Sequence, residues 1–254
     1  MYLFANFLAH RKIGLVQEAR KKVYQTLRFK MAHPYTLISI EGDIGAGKST
    51  LIDKLKAAHP DWHFIDEPVG TWTKLQTADG KNLLELFYED KTRYSYTFQN
   101  CALLSRAMNI AKTIEDWERR CRLNPEEAQY NVFVTERCIE TDFHVFAKML
   151  HDDGHMNLME WDLYKMWYDY VKKQSPALSG IVYVNTPPDI CHARIAVRGR
   201  KGEDGIPLEY LKNLEVYQNA WLHGAENTVP IMPFKNYGDA QNTVEDVEEF
   251  IARS

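Results

Sequence analysis

The chain has 254 residues, 45% of them hydrophobic, enough to bury one large α/β core. A formal net charge of -4 argues against the basic surface stripe of a general binder of nucleic acid polymers, so nucleotide chemistry is expected inside a pocket. No apolar run reaches the roughly 20 residues that cross a bilayer, and Cys101, Cys121, Cys138 and Cys191 lack zinc-ligand spacing and read as reduced intracellular thiols.

In the first thirty residues Arg11, Lys12, Arg20, Lys21, Lys22, Arg28 and Lys30 face a single acid, Glu18. An organelle-targeting segment, a solvated basic helix and an extension ahead of Met31 all fit that bias, although the stretch contains no serine. Residues 1–34 are therefore read as a basic extension and 35–254 as one domain. A cytoplasmic protein is expected, or a mitochondrial one if the extension is a targeting segment.

From Tyr35 onward short β-rich apolar runs alternate with longer helical stretches, the pattern of a parallel sheet covered by helices. Five strands are predicted, over Thr36–Glu41, Trp62–Asp66, Val132–Glu136, Ile181–Asn185 and Thr228–Met232. Their continuous hydrophobicity suits burial on both faces. A long helical region is predicted over Asn82–Glu127, and Thr243 with Asp246 resembles a capping box opening a short amphipathic helix.

Gly42-Asp43-Ile44-Gly45-Ala46-Gly47-Lys48-Ser49 follows the first strand and precedes the helix-like Thr50–Ala58, the context a P-loop requires. Its glycines let backbone N–H groups turn inward onto phosphate oxygens, with the following helix adding the positive end of its dipole. Lys48 is expected to reach the β- and γ-phosphates of ATP and Ser49 to offer its hydroxyl to Mg²⁺. The loop is shared by GTPases, ATPases and motors. No Asn is followed by Lys, which removes the Asn-Lys-x-Asp segment of signalling GTPases, while Glu136-Arg137 at the end of the third strand would serve either a kinase or an ATPase.

Beyond the loop, the chain carries Glu67-Pro68-Val69 with Trp72, then Tyr88, Phe98-Gln99 and Ser105-Arg106. Glu136-Arg137 follow with Asp142 and Phe146, then Arg194-Ile-Ala-Val-Arg198-Gly-Arg200 with Glu203 and Gly205-Ile-Pro-Leu-Glu-Tyr-Leu211. In that order, across Tyr35 to Leu222, these blocks resemble the deoxynucleoside kinases. The resemblance implies a P-loop kinase fold, a five-stranded parallel sheet with a lid segment, transferring the γ-phosphate of ATP to the 5′-hydroxyl of a deoxyribonucleoside. It makes Glu67 the general base, places Glu136 near Mg²⁺ and Arg137 beside the base and the transferring phosphoryl group, and brings Arg194, Arg198 and Arg200 over the phosphates. Positions 194 and 198 share a helix face, so their guanidinium groups can converge on one charged ligand. Tyr88 and Glu203 are implied at the sugar 3′-hydroxyl, Gln99 at the base edge, and Trp72, Phe98 and Phe146 around the ring, with a homodimer as the implied assembly.

Arg106 and Asp142 bear on base choice. By the resemblance they match the members acting on deoxycytidine and deoxyguanosine, and an Arg held by an Asp fills the space a thymine methyl needs. Deoxycytidine, deoxyadenosine or deoxyguanosine is therefore expected ahead of thymidine. Phe87, Cys138 and Gly202 depart from the deoxycytidine kinase pattern. A nucleoside monophosphate kinase is disfavoured because Glu67 would repel an acceptor phosphate, and a non-catalytic regulator because Glu67, Lys48 and Arg137 are all present.

Overall fold

A computed structural model describes residues 34–200, 203, 205–225, 227–238 and 241–254; the basic extension (apart from Pro34) and Gly202 lie outside the described residues. Five parallel strands, β1 (Thr36–Glu41), β2 (His63–Ile65), β3 (Val132–Glu136), β4 (Gly180–Val184) and β5 (Ile231–Phe234), form one sheet in the order β2-β3-β1-β4-β5. Helices α1 (Lys48–Ala58), α2 (Val69–Lys74), α3 (Leu83–Glu89), α4 (Lys91–Leu123), α5 (Ile139–Thr141), α6 (Lys148–Asp152), α7 (Leu158–Gln174), α8 (Pro188–Arg198), α9 (Leu208–Leu222) and α10 (Val244–Arg253) complete the described chain. A π-turn over Asp142–Ala147 joins α5 to α6.

β4 is buried along its whole length and β1 along all but its first residue, as continuous apolar runs require in a sheet covered on both sides. One core cluster gathers Ile38, Ile40, Val182 and Val184 with Leu51, Leu55, Leu211 and Val247. A second lies away from the sheet, where Phe87, Phe98, Leu103, Leu150 and Tyr164 pack the helical half that walls the site. Gly180 admits α10, because a Cβ there would stand 2.8 Å from the Phe250 ring.

Three strands differ from the expectation at their ends. β2 is shorter because Trp62 N–H donates to His59 O and its ring stacks on the imidazole at 3.9 Å, pulling it out of the ladder, while Asp66 pairs with Lys56 at 2.8 Å. β4 starts one residue early, at Gly180, and ends at Val184. β5 starts at Ile231 instead of Thr228 and runs past Met232 through Pro233 to Phe234, whose carbonyl accepts from Asn185 N–H at 3.0 Å. A proline is tolerated there because β5 is an edge strand.

The long helical region breaks at Asp90, which caps both neighbours: its N–H donates to Leu86 O, and its side chain accepts from Arg93 N–H at 3.0 Å. Pro125 then opens a separate 3₁₀ turn, Pro125–Gln129. The Thr243/Asp246 capping box is present. No helix among the described residues is long and apolar enough to cross a membrane.

Candidate active site

The site opens at the carboxyl ends of β1, β2 and β3, where a parallel sheet delivers residues to one crevice. The phosphate loop curls between β1 and α1 through left-handed glycines, Gly45 at φ 80° and Gly47 at φ 98°. A Cβ at Gly45 would stand 2.6 Å from the Cys191 carbonyl oxygen, so the loop passes too close to α8 for any side chain. Lys48 folds back to donate to Asp43 O at 2.8 Å and sits 3.9 Å from Glu136. Burial, with Arg137 nearby, pulls the Lys48 ammonium down to about 8 despite Glu136 and Glu67.

Ser49 Oγ donates to Glu136 Oε2 at 3.2 Å. Beside them, a cavity of about 330 Å³ is lined by Gly45, Gly47, Thr50, Arg194, Arg198 and Arg200 among others. A larger cavity of about 410 Å³ adjoins it, running from Lys48 and Ser49 past Glu67 to Trp72, Phe98 and Gln99. Arg198 and Arg200 line both cavities.

Glu67, just beyond β2, lines the larger cavity. Its Oε1 stands 3.2 Å from Arg106 Nη2 and 3.3 Å from Arg137 Nε. Burial would raise the Glu67 carboxyl, but Arg106, Arg137 and Lys48 together hold it below the ordinary glutamate range. Arg106 projects from α4 and is almost fully buried, donating to Asp142 Oδ2 from Nε (2.8 Å), to Asp142 Oδ1 from Nη2 (3.2 Å) and to Glu136 O from Nη1 (2.7 Å). This two-pronged pairing keeps both groups in one orientation.

The aromatic wall is built as a stack: Phe87 lies on Phe98 at 4.6 Å, Trp72 meets Phe98 edge-on at 5.3 Å, and Trp72 Nε1–H donates to Ser105 Oγ at 3.0 Å. Arg137 lies over Phe146 at 4.9 Å. Gln99 is buried against this wall and its Oε1 has no hydrogen-bond partner among the described residues. An unpaired amide oxygen at a cavity wall is a cost that a ligand donor relieves.

A profile described as deoxynucleoside kinase matches residues 38–254. The chain belongs to the deoxynucleoside kinase family. It is similar to "Deoxycytidine kinase 2" of Gallus gallus (38% identity, covering 84% of this chain and 82% of the relative) and to the deoxycytidine kinase of Homo sapiens (35%, covering 85% and 90%). It is also similar to "Deoxyguanosine kinase, mitochondrial" of Xenopus laevis (33%, covering 78% and 77%). This kinase is accordingly an ATP-dependent phosphotransferase of deoxynucleoside salvage, built on the five-stranded parallel sheet of its family.

The structure gathers Glu67, Trp72, Tyr88, Phe98, Gln99, Arg106, Glu136, Arg137, Asp142, Phe146 and Glu203 around the larger cavity of this kinase. Arg194 lines the smaller cavity but donates backward to Ala46 O at 3.0 Å. Glu203 accepts from both Arg198 and Arg200, the latter at 3.1 Å. Asp43 lines neither cavity; it is 4% exposed, and burial pushes its carboxyl up to about 7 against the pull of Arg137 and Lys48.

Sequence reasoning missed Tyr210, which lines the larger cavity, and the wall role of Phe87. It also missed Thr186 and Asn236, which join Arg194 in donating to Ala46 O, at 2.9 and 2.7 Å. Asn236 and Thr186 come just after the carboxyl ends of β5 and β4, so the rule that parallel sheets place sites at strand ends could have found both.

Proposed function

We propose that the larger cavity holds a deoxyribonucleoside, with deoxycytidine, deoxyadenosine or deoxyguanosine accepted ahead of thymidine, and that Glu67 takes the proton from its 5′-hydroxyl. The observation that carries this reading is the buried Arg106–Asp142 pair, which fills the floor of the cavity and reaches Glu67 with the same guanidinium. A fixed pair of donors and acceptors suits an amino-bearing base and leaves little room for a 5-methyl group. The names of the relatives, deoxycytidine and deoxyguanosine kinases, point the same way.

Both guanidinium contacts to Glu67 fall on Oε1, so Oε2 is the oxygen assigned to the incoming hydroxyl. Arg137, beside Glu67 and 4.9 Å from Phe146, is assigned to the negative charge that grows on the transferring phosphoryl group. Arg198 and Arg200 take the phosphates from the other side, Arg194 supports the loop, and Tyr88 with Glu203 takes the sugar hydroxyl. Gln99 supplies its unpaired oxygen to the base edge.

Ser49 Oγ and the Glu136 carboxylate are adjacent hard oxygens at the phosphate edge and fit Mg²⁺, which prefers such ligands and keeps waters of its own. When bound, Mg²⁺ neutralises charge on the β- and γ-phosphates.

The test measures ADP formation with Mg²⁺-ATP and each of the four deoxyribonucleosides and four monophosphates. Expected is turnover of nucleosides, weakest for thymidine, falling about a hundredfold or more in Glu67→Gln. Consumption of monophosphates alone would sink the acceptor assignment, and thymidine as the best substrate would sink the reading of Arg106.

A homodimer is the proposed assembly. Met108 on α4 and Met159, Met166, Trp167 and Tyr170 on α7 are exposed on two helices packed together, an apolar surface suited to a second copy of the chain. Sedimentation should give twice the chain mass, and Trp167→Glu a monomer; a monomeric native protein would refute the dimer.

A further inference from the structure

Glu136 and Arg137 are neighbours at the end of β3, and in an extended strand their side chains would point to opposite faces of the sheet. Both instead line the same cavity, Glu136 toward Ser49 at 3.2 Å and Arg137 toward Glu67 at 3.3 Å. The chain manages this because Arg137 turns left-handed, at φ 65°, the one positive φ outside glycine among the described residues. An L-residue holds that conformation at a cost and only where its surroundings over-determine it.

Three hydrogen bonds bracket the turn. Arg137 N–H donates to Ile40 O at 3.1 Å, Thr135 Oγ1 donates to Arg137 O at 2.9 Å, and Cys138 N–H donates to Glu41 Oε1 at 2.9 Å. Glu41 closes β1, is fully buried and lines neither cavity. Its Oε1 also accepts from Ser39 Oγ at 2.5 Å, while Oε2 has no hydrogen-bond partner among the described residues. A buried carboxylate with one bare oxygen is costly to keep, and no step assigned to the cavity residues uses it.

We propose that Glu41 is a positioning residue for phosphoryl transfer: by gripping Cys138 N–H it holds the left-handed turn that swings Arg137 into the acceptor site beside Glu67. Ser39 orients the carboxylate, and Thr135 is the second clamp on the same turn. The inference rests on the assignment of Arg137 to the transferring phosphoryl group. Loss of Glu41 leaves Lys48, Ser49, Arg198 and Arg200 in place around the smaller cavity and misdirects the Arg137 guanidinium, so the damage falls on turnover more than on capture of ATP.

The test is a double-mutant cycle on the full chain, reading kcat and the KM for ATP. Arg137→Ala, Glu41→Ala, Glu41→Gln and Thr135→Val are made singly, and Glu41→Ala and Thr135→Val are each combined with Arg137→Ala. Glu41→Ala is expected to lower kcat by about tenfold to a hundredfold, the range for a misplaced catalytic group, with KM for ATP changed less than threefold. Glu41→Gln, which keeps an acceptor for Cys138 N–H, should recover most of that loss. Glu41→Ala added to Arg137→Ala should cost nothing further. If the two losses multiply, or if glutamine fails to rescue, Glu41 does not act through Arg137 and the inference is wrong. Should Glu41→Ala fail to fold, Thr135→Val decides by the same non-additivity. If Arg137→Ala is itself harmless, the role of Arg137 falls, and this inference with it; an impaired Arg137→Ala with an additive cycle removes this inference alone.

Discussion

Arg106 and Arg137, at the floor of the acceptor cavity, have side chains only 3% exposed and share one carboxylate oxygen of Glu67. Arg198 and Arg200, at the phosphate edge, are 35% and 41% exposed and share Glu203. The same residue type thus serves two ends of one site under different physics. On the floor both guanidinium groups are withdrawn from water, and hydrogen bonds to Asp142, Glu136 O and Glu67 set Arg106 before any ligand arrives, while Arg137 meets Glu67 through Nε and its buried Nη1 has no hydrogen-bond partner among the described residues. At the edge, solvent screens the pairs, each is worth little, and the arginines are available to phosphate. The acceptor side is built for discrimination and the donor side for capture and release.

The sharpest way to break this contrast is at Asp142. Asp142→Ala leaves Arg106 short of its principal partner in the interior and should cost on the order of 3 kcal/mol in chemical denaturation. Arg106→Met with Asp142→Ala removes both charges and should cost much less. It should also raise thymidine turnover relative to deoxycytidine by about tenfold, as space replaces the pair. Equal destabilisation by the single and the double change would show that the floor is not held by a buried ion pair.

A pH profile separates the two ends by smaller effects. Lys48 titrates at about 8, its charge disfavoured first by burial and then by Arg137. It is an ammonium below that pH and neutral above it, so kcat/KM for ATP should fall as pH rises through about 8. Glu67 is held below the usual glutamate range by Arg106, Arg137 and Lys48 despite its burial. The acid limb for the nucleoside should therefore lie lower than an ordinary glutamate would place it. An acid limb near neutrality would contradict the assignment of Glu67 as the base. The smallest effect is expected at the edge: Arg200→Ala should raise the KM for ATP by about tenfold, with the KM for nucleoside nearly unchanged.

Much of this arrangement was legible in the sequence because the signals are local. The phosphate loop is a contiguous motif, and Glu67 and Glu136 sit where apolar strands stop. The strand order and the break at Asp90 were less so: a capping aspartate inside a helical pattern is readable only once the chain direction changes there. Resemblance named Arg106 and Asp142, but the tie of Arg106 to Glu67 links residues 39 apart in sequence, and no spacing rule predicts it. The grip of Thr186, Arg194 and Asn236 on Ala46 O joins residues up to 190 apart. Glu41 looked like a strand terminus beside a motif that drew all the notice. The left-handed turn at Arg137 carries no sequence mark at all, since arginine has no special liking for that conformation.

The π-turn over Asp142–Ala147 divides its helix between two tasks. Val145, Phe146 and Met149 belong to the core beside the sheet, while Ile139, Phe143, Ala147 and Leu150 belong to the helical half. A regular helix advances about 100° per residue, and widening one turn changes the rotational phase between the residues on its two sides. Asp142 can then close on Arg106 while the later residues stay in step with both cores. A one-residue deletion within 142–147 would therefore act like turning a key in its lock, rotating Asp142 away from Arg106 against a core that stays put.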